Sequence, residues 1–426
     1  MILGISLLYS GLTQRKSAFQ QLSFPVIVTS EILILWLCFG YSLSFSETGS
    51  SRFLGNFEHV GLKGMSNEII YPTTKDNGGV VSIVYALYHG LFASVTATLS
   101  LGCLAERGRL KPALLFLVFW MFLVYCPVSY WVWNDNGWIS RKLKYLDFAG
   151  GDVVHLNSGC TGLVYSWFLG SRSEANLVDY RASSPGYALV GAVFMIIGWI
   201  GFNCGSLFTI NLLSGIILSN TLTCMSVAGF SWMCVDYFNS QRRKISVVGF
   251  ASGCISGLVA ITPCTAYINF WSSFVVAVCS GILCNFATRL KFIVHIDDSL
   301  DIAAIHLVGG LIGNLLTAIF ADRDVAALGG LQIDGGWINR RFIQLLDQFL
   351  GSLATIAYVC AMCFIILLVI DRIPGFHLRC DNEAEMEGMD ANQLGAEFTN
   401  DYVEFLRRLN PADFLEADED TSVKRD

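Results

Sequence analysis

His155-Leu156-Asn157-Ser158-Gly159-Cys160-Thr161-Gly162 and His306-Leu307-Val308-Gly309-Gly310-Leu311-Ile312-Gly313 are two copies of one pattern, His-Leu-x-x-Gly-x-x-Gly. Each histidine follows an aspartate by eight residues, Asp147 and Asp298, and Asp301 also stands in the second lead-in. Positions 0, 4 and 7 of a helix share a face. Each copy therefore sets one imidazole and two glycines on the same side, and small residues let two helix backbones close up. Both copies lie in apolar runs, where burying an ionisable side chain is costly and marks function by default. A neutral imidazole offers one donor and one acceptor, so two of them can line a dry passage for a small polar solute.

The rest of the chain supplies the setting. Of 426 residues, 54% are apolar and only 14% charged, against about 25% charged in a soluble domain. A spanning helix takes roughly 20 apolar residues, which leaves room for about ten or eleven spans and little else. A soluble enzyme and a single-pass receptor are excluded. Apolar runs fall at about 24–46, 80–105, 112–133, 149–170, 186–213, 215–236, 246–262, 270–290, 302–321 and 348–371. A shorter one over about 2–12 is followed by Arg15 and Lys16 and is read as the inner half of a first span whose outer half is missing from this sequence. Counting it, the two motif copies stand five spans apart, an odd number, so they enter the membrane from opposite sides. That is the mark of inverted repeats with a shared site near the midplane. The fold class expected is an all-α polytopic membrane protein: about eleven transmembrane helices, the first truncated, in a 5+5 inverted repeat plus a final helix.

Placing Arg15 and Lys16 inside puts fourteen basic loop residues of residues 1–379 on the cytoplasmic side and nine outside, the usual positive-inside bias. The C-terminus then lies in the cytoplasm. From Cys380 onward the chain has 14 acidic and 4 basic residues. The division is a membrane domain over 1–371 and an acidic cytoplasmic tail over 372–426, with an amphipathic helix expected near 391–408. Nothing in this pattern offers nucleic acid a basic face. The cysteines, 14 in all, lie mostly in apolar runs without metal spacing. No loop carries a nucleophile–base pair or a phosphate-binding loop, so no enzyme, metal or cofactor is expected.

At the first motif the lead-in Leu146-Asp147-Phe148-Ala149-Gly150-Gly151-Asp152-Val153-Val154-His155 resembles the fifth-helix signature of the ammonium transporter family (Amt, Mep and Rh proteins). Tyr9-Ser10-Gly11-Leu12, Leu104-Ala105-Glu106-Arg107, Gly198-Trp199-Ile200-Gly201-Phe202-Asn203-Cys204-Gly205-Ser206, Ile261-Thr262-Pro263 and Ile296-Asp297-Asp298 are similar to further family stretches. Asn134-Asp135-Asn136-Gly137-Trp138 and Ile333-Asp334-Gly335-Gly336-Trp337 look like the fungal Mep branch. The resemblance covers about residues 1–405.

It implies roles residue by residue. The twin pore histidines match His155 and His306. An outer ammonium site matches Trp133, Ser206, Tyr88 and Phe92, and a stacked gate matches Phe92 and Phe202. Asp147 matches the aspartate tied to ammonium recruitment. From the residues alone, Asp147 either caps its helix or helps hold a cation, and Asp152 is a buried acid that alters proton handling. Ammonium would bind outside by cation–π attraction and a hydrogen bond to Ser206, lose its proton, and pass as ammonia. The resemblance further implies methylammonium as a second substrate, a homotrimer in the plasma membrane, and a regulator at the tail. Two alternatives stand beside transport: an ammonium sensor (transceptor), and an inactive regulatory subunit of a transporter trimer.

Overall fold

The computed structural model describes residues 1–75, 78–178 and 180–395. Among them, eight helices are long and apolar enough to cross a membrane: Arg15–Phe45, Ser82–Leu104, Leu110–Leu143, Pro185–Gly205, Leu212–Asn239, Phe270–Val294, Ala303–Phe320 and Gln344–Asp371. Ile2–Leu12 and Val247–Ile261 are shorter apolar helices. A further helix runs through Gly151–Leu156 into Asn157–Leu169. Each apolar run of the sequence thus has a helix, with boundary differences that have local causes. The run expected over 186–213 stops at Gly205, because Asn211 and Ser214 form a capping box that starts the next helix at Leu212. The run expected from 24 begins at Ala18, with Pro25 carried inside the helix. Beyond the helices the described residues hold one small hairpin, Ile69–Ile70 paired antiparallel with Val80–Val81.

Glycine contacts fix how the helices cross. A Cβ on Gly159 would lie 2.3 Å from the Leu307 nitrogen, and one on Gly310 would lie 2.9 Å from the Gly151 oxygen and 3.3 Å from the Leu156 nitrogen. The relation is reciprocal: the residue four past each histidine meets the residue one past the other. Ile2–Leu12 and Pro185–Gly205 cross in the same manner. A Cβ on Gly4 would lie 2.6 Å from the Met195 nitrogen and one on Gly191 2.3 Å from the Leu8 nitrogen, and Leu8 and Met195 each stand four residues past their own glycine.

The C-terminal segment folds back on the loops at one end of the bundle. The Arg109 amide donates to the Leu378 carbonyl at 3.0 Å and the Cys380 amide to the Arg107 carbonyl at 3.1 Å. Asp390 accepts from the amides of Phe19 and Gln20 at 3.0 and 2.7 Å. Beside them Arg172 grips Asp297 through Nε and Nη2 at 2.8 and 3.0 Å and reaches Glu106 at 2.9 Å. Burial opposes ionisation of Asp297, but the Arg172 hydrogen bonds and the Arg107 charge outweigh it and hold its carboxyl down at about 2. Of the helix expected over 391–408, only its first residues belong to a described helix, Met389–Gln393, and 396–408 lie outside the described residues.

Gly159→Ala should lower the thermal midpoint of the detergent-purified protein, because the added methyl must displace backbone and overpacking costs about 1–3 kcal/mol or more. Gly215 has nothing within 4 Å of its would-be Cβ. Gly215→Ala should leave the midpoint level or raise it, and an equal loss in both variants would sink the close-crossing account.

Candidate functional site

The residues singled out by sequence form one column. At one end the Trp133 indole donates to the Asp147 carbonyl at 3.0 Å, which fixes its ring beside Phe92, at 5.8 Å and 72°. Phe92 and Phe202 stack with centroids 4.0 Å apart and planes 12° from parallel. Tyr88 leans on Phe92 at 4.9 Å. Its hydroxyl donates to the Phe202 carbonyl at 2.7 Å, and the Ser206 hydroxyl donates to the same carbonyl at 2.8 Å. With both protons committed there, the two oxygens, 3.2 Å apart, keep lone pairs for a donor arriving beside them.

Below the stacked pair, His155 lies 6.2 Å from Phe202 and stacks on Trp199 at 5.3 Å and 21°. Trp199 is held by its indole hydrogen bond to Thr262 at 3.0 Å. His155 Nδ1 and His306 Nδ1 are 3.3 Å apart, both rings buried. Two nitrogens at that distance need one proton between them. One imidazole is therefore the Nδ1–H tautomer and the other the Nε2–H tautomer, both uncharged. His155 Nε2 is buried and has no hydrogen-bond partner among the described residues. Past His306 a cavity of about 350 Å³ opens, lined in part by Arg172, Tyr180, Ser252 and Asp301.

Both histidines sit on π-helical turns, Gly151–Leu156 and Ala303–Leu307. Such turns appear frequently at functional sites. Each turn follows an aspartate that caps it. Asp147 accepts from the amides of Gly150, Gly151 and Asp152 at 2.7–2.8 Å and of Val153 at 3.4 Å. Asp298 accepts from the Ala303 amide at 2.7 Å. The geometry of Asp147 is that of a cap, one of the two roles the sequence left open.

Asp152 is placed differently from its expectation. Its carboxylate does not meet His155. Oδ2 accepts from the Thr355 hydroxyl at 2.6 Å and Oδ1 from the Tyr145 hydroxyl at 3.2 Å, and Tyr145 also meets Ser352 at 2.7 Å. The acid ties the helix Gly151–Leu169 to the helix Gln344–Asp371. Sequence reading also passed over His89, a buried ring on the helix Ser82–Ser100 that faces Trp133 at 5.6 Å and Phe92 at 6.0 Å. Its one available signal was spacing, three residues before Phe92 and four after Tyr85.

Comparison with known proteins settles the family. The family model for the Ammonium Transporter Family matches residues 1–399. The chain belongs to the ammonium transporter family. It is 40% identical over 407 residues to "Ammonium transporter MEP2" of Saccharomyces cerevisiae, covering 94% of this chain and 80% of that one. It is 37% identical over 397 residues to "Ammonium transporter 1" of Schizosaccharomyces pombe, covering 93% of this chain and 78% of the relative. The crystal structure of Candida albicans Mep2 matches with a TM-score of 0.82 at 39% identity, over 90% of this chain and 83% of that chain. The fungal relatives are named as transporters, a non-enzyme class, and this family member is a multi-pass helical membrane protein as its composition required.

Removing the Asp152 carboxylate leaves the Thr355 hydroxyl without that acceptor and the Tyr145 hydroxyl with Ser352 alone, and an unsatisfied buried polar group costs about 1–3 kcal/mol. Asp152→Ala should therefore lower the thermal midpoint of the purified protein clearly, and Asp152→Asn by less, since the amide oxygen still accepts. Equal midpoints for the two variants would count against the hydrogen-bond account.

Proposed function

We propose that the chain is an ammonium transporter in which ammonium binds outside the stacked phenylalanines, gives up its proton, and crosses as ammonia along the histidine pair. The observation that carries this reading is the unbroken column from Trp133 through Phe92 and Phe202 to His155 and His306. Trp133, Phe92 and Tyr88 offer π faces to a cation, worth up to about 2 kcal/mol where desolvated. The Ser206 oxygen accepts a hydrogen bond that ammonium can give and potassium cannot. The stacked rings then present an apolar plug. A bare cation pays several kcal/mol to enter it, as burying an unpaired charge does, whereas neutral ammonia has little hydration to lose. Below the plug the two neutral imidazoles offer alternating donor and acceptor to a solute in single file.

In this reading the eleven helices cross the membrane as a 5+5 inverted repeat plus Gln344–Asp371, with residues 1–371 as the membrane domain and 372–426 as the tail. The reciprocal glycine crossings of Ile2–Leu12 with Pro185–Gly205, and of the two histidine helices, support it, since a pseudo-two-fold axis would produce such mutual contacts. The basic loops put the C-terminus in the cytoplasm. Plasma-membrane location, a homotrimer and transport of methylammonium follow from the family. The ammonium sensor is the second reading. It is favoured by the C-terminal segment that bonds to three separate loops, where a signalling or regulatory partner would have access to the state of the bundle.

Methylammonium uptake in cells stripped of their own ammonium transporters tests the proposal. Uptake that ammonium competes and potassium does not is the expected result, with Trp133→Leu raising KM up to about thirtyfold, the equivalent of ~2 kcal/mol. Surface-expressed protein with no uptake would overturn transport. Deleting 381–426 then separates the sensor, which would lose signalling, from an inactive subunit, which has none to lose.

A further inference from the structure

His89 stands among six aromatic rings: Phe45, Tyr85, Tyr88, Phe92, Trp133 and Phe208, all with centroids within 6.0 Å of its own. It stacks nearly parallel on Phe208, at 17°. Its Nδ1 lies 3.0 Å from the Tyr85 carbonyl oxygen, one turn back on the same helix. A carbonyl can only accept, so Nδ1 must carry the proton. In the neutral ring that leaves Nε2 bare, as a lone pair, and Nε2 has no hydrogen-bond partner among the described residues. His89 keeps 8% of its surface exposed. An aromatic cage that also holds one fixed acceptor suits a small cation with N–H donors.

We infer that His89 is a further binding residue of the outer site, its Nε2 accepting a hydrogen bond from the ammonium cation held by Trp133 and Phe92. The inference rests on the transport reading for its ligand and adds a specificity element. Ammonium presents N–H bonds to both the Ser206 oxygen and His89 Nε2, on two sides of one cage, while potassium can use neither bond. It also adds a pH dependence. Protonation of Nε2 removes the acceptor and sets a like charge beside the bound cation. The titratable groups around His89 are few. Tyr85 and Tyr88 lie on its own helix and Tyr41 beside Tyr85, while Glu47 and Asp135 stand farther out toward the loops. The helix Cys126–Trp133 and the Phe208 turn show it only aromatic surface. Among the described residues no carboxylate contacts the ring, so a charged His89 would have no counter-charge beside it.

The test is ammonium binding to the purified full chain by calorimetry over a series of pH values, run beside methylammonium uptake, for wild type, His89→Phe and His89→Gln. His89→Phe keeps the aromatic packing and loses the acceptor, so its Kd at neutral pH should rise about tenfold, the size of one hydrogen bond to a charged group. His89→Gln keeps a neutral acceptor that does not titrate. Its Kd should stay within about threefold of wild type, and the weakening of binding that wild type shows on acidification should disappear. A purely structural role would not remove that acid limb while keeping Kd at neutral pH near wild type, as the glutamine variant should. Unchanged Kd and unchanged pH profile in both variants would overturn the inference while leaving transport intact. Binding with these shifts but without uptake would uphold His89 and overturn transport. No binding by wild type would overturn both.

Discussion

The close crossing of the helices that carry His155 and His306 is the constraint on which the rest of the column depends. Two imidazole nitrogens 3.3 Å apart in a sealed interior require two backbones nearer than side chains normally allow. Gly159 and Gly310 supply that approach, each lying against the backbone just past the other's histidine. Because the contact is reciprocal, neither helix can rotate or slide without forcing a glycine into a neighbour's chain. The histidines are thus positioned by backbone, not by long side chains with rotamer freedom, and the line they form costs little entropy to hold. Trp199, stacked on one face of His155 and tied to Thr262, closes a further direction of movement.

That constraint was legible in the sequence because it is written in spacing. The His-Leu-x-x-Gly-x-x-Gly repeat reports a shared helix face, the aspartates eight residues before report the caps, and the five-span offset between the copies is what an inverted repeat would give. The apolar runs likewise located each helix, since a membrane span is long and its composition differs from any loop. Boundaries were less visible. The stop at Gly205 depends on a capping box at Asn211 and Ser214, four residues of ordinary composition in an apolar stretch. The π-helical turns under both histidines had no sequence signal that helical periodicity could separate from a regular turn.

The parts of the site that escaped reading share one feature: they are contacts between residues far apart in the chain or of unremarkable type. Asp152 was visible as an acid in an apolar run, but its partner Thr355 lies some two hundred residues away, and a threonine does not announce a buried bond. Its orientation toward Gln344–Asp371 could not be deduced from its distance of three residues from His155, since a π-turn changes the angle between successive side chains. His89 was hidden for the opposite reason. It lies in a run rich in Tyr and Phe, where membrane packing already explains a buried ring, and only the Tyr85 carbonyl shows which of its nitrogens is free.

The distribution of charge along the column then follows from a single rule, that ions are kept where water or a partner can reach them. Between the stacked phenylalanines and His306 the side chains described on the column are neutral, and the two carboxylates nearby are tied elsewhere: Asp147 spends both oxygens on four backbone amides, and Asp152 accepts from the Thr355 and Tyr145 hydroxyls. Ionic contacts gather instead at the far end, where Arg172, Asp297, Glu106 and Arg107 neutralise one another beside the cavity below His306. A cation arriving from the aromatic end therefore meets attraction from π faces and bare acceptors as far as Phe92 and Phe202, and no counter-charge beyond them. A neutral solute meets no such step. On the proposed transport reading, the same arrangement that would stop potassium at the rings would favour ammonia beyond them.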